Sequence, residues 1–168
     1  GMLVNGKPEG RWRTYFENGS LRSEGDRRDL LLEGVWKFYD EKERLVSTVT
    51  YMADKKNGPV LKYDTMGVMI SEEMFVDDRR EGMARYIYPN GLVQKEIPFK
   101  EGKEEGRGYE YGEDGRLVAI LQYGAGLLRK REDINHIDPM GLKQGPWKEF
   151  HPNGKVKWEG VFVDGEKQ

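Results

Sequence analysis

Short runs rich in aromatic and β-branched residues alternate along the chain with polar clusters containing Gly, Asn or Asp. Outside one segment near the C-terminal end, no stretch sustains a helical period, so the pattern predicts strands and turns. The pattern also repeats. Glycines at Gly10, Gly34, Gly58, Gly82 and Gly106 keep a constant step of 24, and the next leading glycine, Gly145, follows after 39, so 15 residues are inserted. Reading by column from each leading glycine, position +2 holds Trp12, Trp36, Val60, Ala84, Gly108 and Trp147. Position +5 holds Tyr15, Tyr39, Tyr63, Ile87, Tyr111 and Phe150. Position +9 is Gly in every unit except the second, where it is Glu43. Position +17 holds Arg27, Tyr51, Phe75, Phe99, Tyr123 and Phe162.

Within a unit, an aromatic run leads into Asn-Gly or Asp-Gly and then into a second apolar run. Those dipeptides suit turns that need positive φ, so hairpins are expected at Asn18-Gly19, Asn90-Gly91, Asp114-Gly115 and Asn153-Gly154. One hairpin is marginal in water, and units must therefore stack edge to edge. The fold class expected is all-β: an elongated antiparallel meander of stacked 24-residue β-hairpin repeats with one 15-residue insertion. About a dozen strands at about 4.8 Å would span roughly 55 Å. Residues 1–126 read as five repeats, 127–141 as the insertion and 142–168 as the sixth repeat. The Trp and Tyr columns lie three positions apart, which puts aromatics on both faces unless a bulge beside the Trp restores one face. Aromatics on both faces is the favoured reading. Ala84, Gly108 and Glu43 depart from their columns, which suggests looser packing in the middle units.

The periodic pattern G-x-W-x-x-Y-x-x-N-G-x-L, continuing to E-x-x-Y-x-D-G, is clearest in Gly145, Trp147, Phe150, Asn153, Gly154, Val156, Glu159, Phe162, Asp164 and Gly165. It resembles the MORN-repeat variant of bacterial proteins over nearly the whole chain apart from about residues 127–141. The resemblance implies a non-catalytic binding role. Members are often described as antitoxin components, and related MORN proteins as scaffolds or lipid-surface binders.

Composition narrows the chemistry. Charged residues make up 35% and hydrophobic ones 36%, with 22 Gly, which suggests a thin structure with much surface. The net charge of -2 gives no nucleic-acid footprint. No run has the roughly 18 apolar residues of a transmembrane helix. No signal peptide is seen, yet Gly1 ahead of Met2 reads as the residue of an expression tag, so a cytoplasmic or a periplasmic or envelope location fits equally. With no Cys and only His136 and His151, no catalytic residues, metal ligands or cofactors are assigned. His136 near Asp133 and Asp138 reads as a polar loop, and paired carboxylates such as Glu72-Glu73 and Glu104-Glu105 read as turn or solvent-facing charge. A hydrolase using such carboxylates ranks last.

Two features stand outside the repeat. The segment Leu127–Gly141 reads as one helical turn or a protruding loop, carrying Arg129, Lys130, Arg131 and His136. Trp158 occupies a column otherwise filled by Ser23, Ser47, Ser71, Lys95 and Ala119. Insertions in repeat proteins tend to mark the binding face. These five residues are accordingly expected at the contact with a protein partner, with a carbohydrate- or lipid-surface contact as the alternative.

Overall fold

A computed structural model describes residues 1–168. Its main sheet contains β1 (Met2–Val4), β2 (Lys7–Tyr15), β3 (Leu21–Arg28), β4 (Leu31–Tyr39), β5 (Leu45–Met52), β6 (Lys55–Tyr63) and β7 (Met69–Val76). It continues through the two-residue β8 (Arg79–Arg80), β9 (Gly82–Ile87), β10 (Val93–Lys100), the two-residue β11 (Lys103–Glu104), β12 (Gly106–Tyr111), β13 (Leu117–Gly124) and β14 (Leu127–Asp133). A second sheet follows in chain order: β15 (His136–Ile137), β16 (Lys143–Phe150), β17 (Val156–Val163) and β18 (Glu166–Lys167). Neighbours pair antiparallel in sequence order throughout, which is the expected all-β meander. There is no helix, so none is long and apolar enough to cross a membrane.

Two kinds of turn alternate along the meander. At the expected sites, Gly19, Gly91, Gly115 and Gly154 all have φ between 78° and 85° and each donates its N–H three residues back. The Glu43 exception adopts the same left-handed conformation at φ 59°. Between units the chain reverses through two consecutive positive-φ residues, such as Asp29-Leu30, Asp77-Asp78 and Glu101-Gly102. That conformation matches the right-handed twist of the flanking strands. A carboxylate or amide just before the leading glycine caps most of these reversals: Glu9, Glu33, Glu81, Glu105 and Gln144 each accept the N–H twenty residues on. The second acid of Glu104-Glu105 is thus a turn cap.

In every unit one extra residue bulges opposite the +5 column (Arg22, Val46, Ile70, Gln94, Val118, Lys157). Pairing is regular from the Trp column to that point, so Trp and Tyr point to opposite faces. Tyr39 and Tyr111 accordingly send their hydroxyls to Glu24 and Glu96 on the face away from Trp36. Aromatics occupy both faces.

The core lies on the Trp face. Val49, Val60 and Phe75 pack together with Phe38 and Tyr51, and Trp36 is 3% exposed. Size is complementary across neighbouring units. A Cβ on Gly25 would fall 2.3 Å from the Trp36 ring, and at the next junction Val60 pairs with Val49; extending the Glu72↔Arg85 and Glu96↔Tyr109 registers by one residue sets Ala84 beside Glu73 and Gly108 beside Ile97. Ala84 and Gly108 are both buried. No second layer covers either face: the accessible surface is 10768 Å², against about 8,500 Å² for a compact monomer of 19.5 kDa.

The segment expected as a helical turn or loop is chiefly strand. β14 pairs with β13 from Leu127↔Gly124 to Ala119↔Asp133, so it extends the ladder. It lacks the leading glycine, Lys130 standing 24 residues after Gly106, and the strand is cut at Ile134 and Asn135. The residues 138–142 then form another turn of the repeat type, with Gly141 donating to Asp138. The cut is a joint. Ile134 N–H bonds back to Val118, while Asn135 N–H bonds forward to Pro146. The buried Asn135 side chain donates to Leu117 and Lys148 carbonyls and accepts the Lys148 N–H. Lys148 also reaches Glu132 at 2.6 Å.

Candidate binding surfaces

The outer face takes its character from positions +1 and +16, which pair across each hairpin and point away from the Trp column. In units two to four these are Val35↔Thr50, Pro59↔Met74 and Met83↔Pro98. Five of the six are apolar, and they form one row across six adjacent strands, roughly 24 Å at about 4.8 Å per strand. Val35 is 51% and Met74 40% exposed, and Met52 and Val76 extend the row toward the reversals. Charged or polar side chains replace the apolar pairs at Arg11↔Asp26 and Arg107↔Gln122, so the strip is bounded at both ends. Beside it runs an ionic ladder in which Arg85 bridges Glu72 and Glu96. Exposed methionines are adaptable contact residues.

The Trp face carries a different feature where the Trp column shrinks to Ala84 and Gly108. A cavity of about 360 Å³ opens there, lined by Tyr86, Gln94, Lys95, Ile97 and Glu110. Beside it Glu73, 4% exposed, takes Arg80 at 3.3 Å and the Tyr86 hydroxyl. Burial, and then the charge of Glu73, push the Tyr86 hydroxyl above its usual range. The Arg131 guanidinium binds Glu110 through both oxygens and holds that carboxyl below its ordinary value.

The residues singled out from sequence do not converge. Arg131 is engaged with Glu110 and Asp133 on the Trp face, and Lys130 pairs opposite Gln122 on the outer face. Arg129 folds back on the Gly124 carbonyl. His136 lies exposed opposite Gln144 in the second sheet. Trp158 stands on β17 beside Phe162, with its indole N–H on Glu149. The outer strip escaped sequence reasoning, although its +1 and +16 columns are legible once the face of each column is known.

These hairpins, with Trp on one face and Gly at each turn, meet their sequence counterpart at both ends of the chain: the profile of the MORN repeat variant family matches residues 8–28 and 143–164. Those two segments are similar to the MORN repeat variant. A comparison with curated proteins gives no match. MORN repeats in general serve as scaffold motifs contacting proteins or membranes. The intervening MORN-like units lie between the two matches and keep the same turns and faces.

Proposed function

We propose that the protein is a non-enzymatic repeat scaffold that binds another protein through the outer strip of units two to four. The observation that carries this reading is the apolar row Val35–Pro59–Met74–Met83–Pro98, exposed at Val35, Pro59 and Met74 and half-buried at Met83 and Pro98, on an uncovered sheet face. An antitoxin-like role, implied by the resemblance, is one form of such binding. Capture of a partner by the unaltered chain, set beside Met74→Glu/Met83→Glu and Lys130→Glu/His136→Ala, tests it. The strip variant should lose the partner while keeping its β circular-dichroism spectrum, and the joint variant should retain it. Loss in the joint variant alone would move the contact to the segment favoured by sequence. A glycan contact is the second reading, supported by the Tyr86, Gln94, Lys95 and Glu110 lining of the cavity on the other face; a glycan array tests it.

A further inference from the structure

In units three and four, the cation two residues before the leading glycine rests on a single ring. Lys56 Nζ lies 5.1 Å from the Phe75 centroid, and the Arg80 guanidinium lies 5.0 Å from that of Phe99 while pairing with Glu73. The sixth unit departs from this. Lys143, at the same column, has its ammonium 4.4 Å from the Trp147 ring, 4.9 Å from Phe162 and 5.9 Å from Trp158. Phe162 meets Trp147 at 65° and Trp158 at 66°, so the rings form walls and not a stack. Lys143 forms no ion pair, in contrast to Lys148 nearby. The third wall is Trp158, which the repeat does not require; Glu149, itself held by Lys157 at 2.9 Å, anchors its indole N–H. The buried Trp147 indole N–H has no partner, whereas those of Trp12 and Trp36 bond Glu9 and Asp26 carbonyls.

We infer that Trp147, Trp158 and Phe162 form an aromatic cage for a quaternary ammonium group, filled in the free protein by Lys143. A primary ammonium is strongly hydrated and carries three donors, but the ring faces offer it no strong acceptor. A quaternary ammonium has no N–H to satisfy and surrenders less hydration, so three converging ring faces favour it over the lysine head. Lys143 is then a tethered competitor. The half-buried rims of Trp158 and Phe162 leave the cage reachable from solvent once Lys143 swings out. The site lies apart from the outer strip, and its test needs no protein partner.

The test titrates tetramethylammonium chloride against sodium chloride of equal ionic strength, read by tryptophan fluorescence. Lys143→Ala should bind saturably and about tenfold more tightly than the unaltered protein, the factor lost when a cage stands open one-tenth of the time. Lys143→Ala/Trp158→Ala should not bind. In the unaltered protein, the ring-shifted ε-methylene protons of Lys143 should move toward random-coil positions as the salt is added, a readout independent of any variant's folding. Lys143 protons that stay put, or binding that survives without Trp158, would overturn the inference. Choline and phosphatidylcholine vesicles then separate a free solute from a lipid headgroup: choline binding without vesicle co-sedimentation supports the former, choline-competed co-sedimentation the latter.

Discussion

Replacing Gly25 with Val probes the size complementarity that holds neighbouring units together. Gly25 has ordinary φ, so its backbone accepts a side chain; the obstacle is Trp36, whose Cδ2 would lie 2.3 Å from the new Cβ. Carbon atoms need about 3.5–4.0 Å. The ring cannot readily yield, because its N–H is held by the Asp26 carbonyl at 2.9 Å and Arg27 lies over it. Overpacking of this kind costs about 1–3 kcal/mol. Trp36→Val alone vacates a side chain that is 3% exposed, at a cost of about 2–4 kcal/mol. The double variant reproduces the Val49–Val60 contact of the next junction, which also has a Trp on its other side. It should therefore be no less stable than Trp36→Val, giving a favourable coupling of about 1–3 kcal/mol. Urea denaturation of the four proteins, followed by far-ultraviolet circular dichroism, measures the cycle. Additivity within about 0.5 kcal/mol would refute the complementary-volume argument.

Leu30 sits at φ 81° where sibling reversals have Gly102, Gly126 and Gly165, so Leu30→Gly should stabilise by up to about 1 kcal/mol after its added unfolded-state entropy; a lowered urea midpoint would contradict this. Asn135→Ala should cost about 2–4 kcal/mol by orphaning buried groups on both sheets, and hydrogen exchange should accelerate in residues 136–168 while the first units stay protected. Uniform acceleration along the chain would show that the joint is not a boundary. Acid should loosen the fold: Arg131 lowers Glu110 and Lys148 lowers Glu132, while at Glu24 the bonds from Arg13, Tyr39 and Arg11 outweigh burial, all relative to an ordinary value of 4.5. Because the folded values are depressed, the unfolded chain takes up more protons on acidification. The contribution is present above about pH 4.5 and is lost as pH falls through and below it. A melting midpoint that stays flat down to about pH 3 would contradict the assignment.

Periodicity made the architecture readable, since a step of 24 residues with Gly at the turns and aromatics between them leaves few arrangements other than stacked hairpins. The hairpin turns were legible for a local reason: Asn-Gly and Asp-Gly encode positive φ within two residues. The reversals were harder to read because Ala53-Asp54 and Asp77-Asp78 reach the same conformation without glycine, the first aided by Glu33 twenty residues away. Ala84 and Gly108 look like defects in one column; the larger Glu73 and Ile97 beside them belong to a different column of the preceding unit, and only strand register brings the two together. Leu127–Gly141 breaks the period and by sequence reads as a helical turn or protruding loop, although most of it is strand and repeat-type turn. Its strand character depends on β13 offering an open edge, a partner that no local window contains. The outer strip and the three rings around Lys143 follow the same logic, because sequence names the residues but pairing assigns their faces and neighbours.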